Sequence, residues 1–290
     1  MIWLIKYTGC LIITGVGFVA FCQSNLFNHG TKLLVENNAL LYVPGNYSNE
    51  ENLPGFDSPL FLNGQLYVGG DLISNNTSLV NSDNEGEIFF IGNNDQAIIG
   101  SEVFIPNLHL EKVNGSSYVS GTLKIGSILK LKNTPFVIDH SSIELKYSDS
   151  RIMDESSFSR IYGMDGFIHS PEFVMPLDFE NENIFGMGLG IKLSSGQSFS
   201  DVKIERRTTS VINVGSEKSI ERVFSVTTGN SGIFEQLTFR YFESELNGMS
   251  DEARLVLFQS FDNGSTWEKI SDEINMVDNK ITADQIDSKK

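Results

Sequence analysis

The chain has 290 residues, 40% hydrophobic and 11% aromatic, which gives room for one large or two medium domains with real cores and excludes a disordered chain. Its formal net charge of −16 repels phosphate backbones and anionic lipid, so it argues against nucleic-acid partners and membrane-surface docking. The two cysteines, Cys10 and Cys22, both fall in the first 22 residues. A chain cleaved after them has no disulfide, thiolate metal site or Cys nucleophile, which suits a bacterial exported protein better than a small eukaryotic ectodomain.

The first 22 residues read as an export signal. Lys6 supplies a positive start, Leu11 to Phe21 an apolar stretch, and Ala20 and Cys22 are small residues at −3 and −1 of a cut before Gln23. Tyr7 to Phe21 is short for a membrane span, which needs about 20 residues. A lipoprotein ranks lower because Phe21 is bulky where a lipobox wants a small residue. The expected location is secreted or cell-surface, with a periplasmic one as a further option, and no membrane span is expected after cleavage.

Residues 23–150 carry short apolar runs separated by Gly, Asn, Asp and Pro, among them LLYVPGNY, GQLYVGGDL, GEIFFIG, GTLKIG and SSIELKY. Such runs predict strands rather than helices. Leu41-Tyr42-Val43-Pro44-Gly45-Asn46-Tyr47 matches Leu66 to Leu72 at an offset of 25. Gly64 to Gly69 matches Gly121 to Gly126 at an offset of 57, and Glu87 to Gly92 is a looser copy. The repeats predict an N-terminal β-solenoid, parallel β-helix-like, with Leu41 and Leu66 facing inward on nearby rungs; the alternative is an antiparallel sandwich with coincidentally similar hairpins. Asn75, Asn76, Asn93, Asn94 and Asn133 follow the runs and suit left-handed corners or side-chain ladders. Asp83, Glu85 and Glu87 lie close together around Gly86; a solvated acidic turn is favoured there over a calcium site.

The polar stretch 148–159 predicts a connection, and the texture then changes. Phe185, Met187, Leu189, Ile191 and Leu193 share one parity, predicting a strand with one packed face. KIERRTTSV, RVFSVTT, QLTFRYFESEL and ARLVLFQSF follow with turn-forming gaps, so residues 151–272 are expected to form an antiparallel immunoglobulin-like β-sandwich, with 273–290 a polar C-terminal tail. The expected fold class is therefore all-β throughout.

Ser260 to Trp267 fits the Asp-box pattern S-x-D-x-G-x-T-W, which resembles the repeat of sialidase propellers and of isolated β-hairpins. It occurs once, whereas a propeller needs several blades, so Asp262, Gly264 and Trp267 are expected to build a turn, with Trp267 buried in the core. GMGLG is not a dinucleotide fingerprint, and neither a P-loop nor G-x-S-x-G is present. The four histidines, His29, His109, His140 and His169, are scattered. No catalytic or cofactor-binding residues are assigned, no cofactor is expected, and metal binding is left open.

In chain order, the export signal, GTLKIGSILKLKN, IYGMDGFIHSPEF, GMGLGIKL, SIERVFSV, FRYFESEL and the Asp-box hairpin resemble the large secreted surface proteins of Bacteroidota, of the gliding-motility-associated and type IX secretion cargo type. The resemblance covers nearly all of residues 30–270 and implies a cell-surface, adhesin-like or matrix role; it carries no catalytic residues. It departs at the end of the chain, where those relatives continue into a C-terminal sorting domain and this sequence reads DNKITADQIDSKK. The sequence thus points to an exported non-enzymatic adhesin-like or structural protein, with a glycan or another cell-surface protein as its partner. The alternatives are a polysaccharide-active β-helix enzyme and a non-catalytic glycan-binding module. Residues 31–147 contain no Arg, which favours the non-enzyme over a groove lined by convergent charges.

Overall fold

A computed structural model describes residues 11–13, 19–21, 25–29, 32–50, 60–75, 79–80, 85–175, 187–208, 211–214, 217–249 and 251–288. The chain divides into two units, Met1–Phe167 and Ile168–Lys290.

The first unit is a β-solenoid of about six turns. Three short strands per turn recur: β1 (Leu11–Ile13), β2 (Val19–Phe21) and β3 (Leu26–His29); β4 (Leu33–Val35), β5 (Leu40–Val43) and β6 (Tyr47–Glu50); β7 (Leu60–Leu62), β8 (Gln65–Val68) and β9 (Leu72–Ser74). β10 (Glu87–Phe90) follows. Then β11 (Gln96–Glu111) and β12 (Ser117–Lys132) each bend through three faces without interruption. β13 (Phe136–Val137), β14 (Ser142–Leu145), β15 (Arg151–Met153) and β16 (Ile161–Tyr162) complete the stack. All ladders are parallel. On the second face Leu41, Leu66, Ile88, Leu108, Leu129 and Ile152 stand in register, all buried. The third face stacks Tyr47, Leu72, Ile98 and Val119, and the first stacks Val103, Leu123 and Ile143. Strands alternate inward and outward side chains, so one apolar residue in two fills the interior on every face.

Corners are closed by small residues and by carboxamide or carboxylate side chains. Gly121 sits at φ +108° where a Cβ would collide with the Gly100 backbone of the turn below. At the corner between the second and third faces, an Asx side chain in each turn accepts from the backbone N–H of the next. Asn46 N–H donates to Asn25 Oδ1 (2.9 Å), Asp71 N–H to Asn46 Oδ1 (2.8 Å) and Ala97 N–H to Asp71 Oδ1 (2.8 Å). The expected corner role of Asn133 holds (φ +61°), while the ladder is built by Asn25, Asn46 and Asp71 rather than by Asn75, Asn93 or Asn94; Asn76 lies outside the described residues.

Two expectations are corrected, the end of the parallel stack and the second repeat match. The parallel stack continues past residue 150: Ile128 pairs with Arg151 and Phe136 with Ile161. The polar stretch 148–159 is anchored to it, since Ser150 Oγ donates to the Gly126 carbonyl at 2.6 Å. Gly64–Gly69 and Gly121–Gly126 are not equivalent, because Leu66 lies on the second face and Leu123 on the first. Of the segment read as an export signal, 1–22, only β1 and β2 are described; they pair in parallel with β4 and β5.

β17 (Gly166–His169) spans the division between the units. The second unit is antiparallel. β18 (Phe173–Met175), β20 (Phe199–Thr208) and β23 (Arg222–Thr227) form one set, and β19 (Ile191–Ser194), β24 (Gly232–Arg240), β28 (Lys280–Ser288) and β27 (Glu273–Asn275) another. Two hairpins join them, β21 (Asn213–Val214) with β22 (Glu217–Lys218), and β25 (Leu257–Gln259) with β26 (Glu268–Ser271). Phe199 of β20 stacks on Phe234 of β24 at 4.4 Å, and Phe239, Tyr241, Leu255 and Ile281 form a further core.

Two more readings change here. The strand expected from Phe185 begins only at Ile191: Met187, Gly188 and Gly190 take positive φ (61°, 78° and 91°), so 187–190 turns, although Met187 and Leu189 are buried; Phe185 lies outside the described residues. The polar tail expected at 273–290 contains β27 and β28. Its burial parity shifts at Gln285 (φ +56°), with Ile281 and Ala283 buried before it and Ile286 after, which hid the alternation.

Candidate functional site

A column of titratable and aromatic side chains lies on the outward side of the second face of the solenoid. Parallel register places Tyr67, Phe89 and His109 directly above one another on β8, β10 and β11. Neighbouring rungs lie about 4.7–4.9 Å apart, the spacing that lets flat rings stack. The Tyr67 and Phe89 rings are 4.5 Å apart and inclined by 8°; Phe89 and His109 are 4.5 Å apart and inclined by 18°. Two residues earlier on the same strands, Gln65, Glu87 and Asn107 form a parallel column.

The two columns bond to each other. Gln65 Nε2 donates to Glu87 Oε2 at 2.9 Å, and Tyr67 Oη to Gln65 Oε1 at 3.4 Å. Asn107 Nδ2 donates to the Glu85 and Gly86 carbonyls at 3.0 and 3.3 Å. His109 Nε2 lies 3.3 Å from Glu87 Oε1, at ion-pair distance but without hydrogen-bond alignment. Burial pushes the Tyr67 hydroxyl above its ordinary pKa, with Glu111 and Glu87 adding to the shift. Burial also pushes His109 below its ordinary value and outweighs the opposing pull of Glu87 and Glu111, with Lys130 acting in the same direction as burial. His109 is therefore harder to protonate than a free imidazole, and Glu87 is occupied by its neighbours.

This geometry limits the chemistry. A sugar ring stacks on an aromatic face, and here the Phe89 faces are covered by Tyr67 and His109, leaving ring edges outward. The ladder fits a structural role, in which like-shaped side chains on successive rungs shield one another. Sequence reasoning missed it because Tyr, Phe and His share no residue type; the signal was their common place in the Leu66 and Ile88 repeats, one residue after each inward apolar side chain.

The other expected residues are not gathered into one place. Glu85 is exposed, Glu87 belongs to the ladder and Asp83 lies outside the described residues; among the described residues no group of three His, Cys, Asp or Glu is placed to hold a metal. His140 stands 3.7 Å from Asp165, and His169 3.6 Å from Glu205; the His29 side chain is outside the described residues. Among the described residues no helix is long and apolar enough to cross a membrane.

The Asp-box forms the turn expected of it. Asp262 Oδ1 accepts from the Thr266 N–H at 2.7 Å, Asp262 Oδ2 from Thr266 Oγ1 at 2.7 Å, and Gly264 N–H donates to Ser260 Oγ at 2.8 Å. Asn263 and Gly264 take φ of 56° and 86°. The bonds from Thr266 and then Ser260 hold the exposed Asp262 carboxyl at about 2. Trp267 departs from expectation: it is half-buried, and its Nε1 donates to the Gly264 carbonyl at 3.0 Å, so it clasps its own turn instead of filling the core.

In the antiparallel unit the concentrated charge is structural. Arg222 donates to Glu245 Oε1 from Nη2 at 2.7 Å and from Nε at 3.0 Å, both side chains being at least 95% buried, and Glu245 Oε2 accepts from the Phe242 N–H at 2.9 Å. Arg206, also buried, donates to the Leu189 carbonyl at 3.1 Å, which the 187–190 turn presents to it.

Comparison with protein families, with curated proteins and with solved structures finds no match for this chain.

Proposed function

We propose that the chain is an exported, non-enzymatic cell-surface or extracellular protein of the Bacteroidota surface-protein type, adhesin-like or structural. The observation that supports this reading best is the self-contained side-chain ladder of the solenoid. On the second face, Glu87 is engaged by Gln65 and lies against His109, and the ring faces of Phe89 are covered. A catalytic face needs a carboxylate, base or cation left available to a substrate. The high net negative charge suits a soluble extracellular surface. For the second unit we infer an immunoglobulin-like sandwich, supported by its two antiparallel sets of strands and by the Phe199–Phe234 stack.

Fractionation and intact-mass analysis test the export reading. Material outside the cytoplasm should begin at Gln23, so that β1 and β2 leave with the signal and β3 becomes the first strand. A product that keeps Met1, or one confined to the cytoplasm, counts against it. Incubation with a panel of acidic and neutral polysaccharides should release no new reducing ends and no unsaturated products; either product would restore the enzyme reading.

A further inference from the structure

Natural sheets protect their edges with short strands, bulges or outward charges. In the antiparallel unit most edges follow that rule. β27 has three residues and opens with Glu273, β19 carries Lys192, and β18 pairs with β20 through an irregular register. β23 does not. It pairs with β20 through six consecutive residue pairs, Arg222 with Thr208 through Thr227 with Lys203, without a bulge. Among the described residues the backbone ladder of β23 is the one with β20. Its sequence, RVFSVT, is rich in β-branched and aromatic residues. Its one charge, on Arg222, is turned inward to Glu245, so Val223–Thr227 carries no charge to repel an incoming strand.

We propose that β23 is a self-association edge, at which a second copy of this chain adds its own β23 in antiparallel orientation. The open backbone row of an edge strand is satisfied by another extended strand, and the side chains of this one are complementary to themselves. The pairing with β20 sets Phe224 and Val226 on the core-facing side, opposite buried Arg206 and Ile204, and Val223, Ser225 and Thr227 on the outer side. With the two-fold axis at Ser225, Phe224 of one copy faces Val226 of the other, and Val223 faces Thr227. These are aromatic–β-branched and β-branched–β-branched cross-strand pairs, which are favourable. Ser225 faces itself, and Arg222 falls outside the overlap, so no like charges oppose one another along the joined strands. The proposal is independent of the export reading.

Sedimentation velocity of the purified full chain across the micromolar range tests it, together with amide hydrogen exchange. The expected result is a concentration-dependent dimer whose formation slows exchange in β23. Ser225→Lys sets two ammonium groups opposite each other at the axis and should weaken the dimer by at least about tenfold. Ser225 is exposed, so the monomer's melting temperature should not change. Ser225→Val should strengthen the dimer. A chain that stays monomeric throughout the range, a dimer indifferent to Ser225→Lys, or β23 amides already protected in the dilute monomer would each overturn the proposal.

Discussion

The solenoid and the antiparallel unit solve the same problem, how to satisfy polar groups around an apolar interior, in opposite ways. In the solenoid the solution is translated from turn to turn. Asn25 serves Asn46, Asn46 serves Asp71, and Asp71 serves Ala97, each through a side-chain oxygen and the next backbone N–H. In the antiparallel unit it is concentrated: one buried carboxylate, Glu245, meets the Arg222 guanidinium and the Phe242 amide together. A repeated device spreads the cost of any single loss over neighbours that remain intact, whereas a concentrated one places several unpaired groups in the interior at once.

The strongest way to break this contrast is at Glu245. Glu245→Ala leaves the Arg222 charge buried without its partner and should cost the antiparallel unit about 3–5 kcal/mol, read by denaturant unfolding. Replacing both partners together, Arg222→Met with Glu245→Leu, should recover most of that loss. In the solenoid Leu66→Ala empties a fully buried position between Leu41 and Ile88 and should cost about 3 kcal/mol. Hydrogen exchange should place the damage on β5, β8 and β10 and spare β12, as expected where each turn contacts only its neighbours. Asp71→Ala removes one step of the corner relay and should cost about 1 kcal/mol, while Asp71→Asn, which keeps the acceptor, should cost much less.

Acid sharpens the comparison with smaller effects. Burial lowers the pKa of His109 from its ordinary 6.5, so the folded chain binds that proton less readily than the unfolded chain. Its neutral form is accommodated above pH 6.5, and stability is lost as pH falls from there through the lowered value. His109→Gln should flatten that part of the stability–pH curve. Asp262 has the same sign at lower pH, though from hydrogen bonds that favour its charge and not from burial. Its carboxyl is lowered from 3.8 to about 2, so its contribution is present above the ordinary value and is lost as pH falls through about 2. The emission of Trp267, which rests on the same turn, should report that step, and Asp262→Asn should abolish it.

What could be read in advance follows the same division. Translation writes itself into sequence: the match of Leu41 with Leu66 at an offset of 25 is the spacing of one turn, and both residues are buried in register. The second match, at an offset of 57, failed because all three faces of a turn use the same apolar alternation. A local stretch such as Gly121–Gly126 therefore does not reveal which face it occupies. The aromatic ladder was illegible for a related reason, since stacking needs ring shape and register and not one residue type. In the antiparallel unit the partners of a strand lie far away in sequence. β24 pairs with β28, whose polar composition and kink at Gln285 disguised a strand with three buried apolar residues as a tail. The Asp-box was legible as a turn because its bonds are local, but the packing of Trp267 was not.

The two long strands of the solenoid, β11 and β12, have a mechanical consequence. They pair through thirteen residue pairs while rounding two corners, so one continuous backbone belongs to three faces at once. Hydrogen bonds between rungs lie along the stacking axis, and a pull along that axis loads them in tension. A turn made of three separate strands can open one face at a time under such a load. Around β11 and β12 the covalent chain carries strain from each face to the next, so this middle section should yield last, and extension should begin at the turns built from short strands.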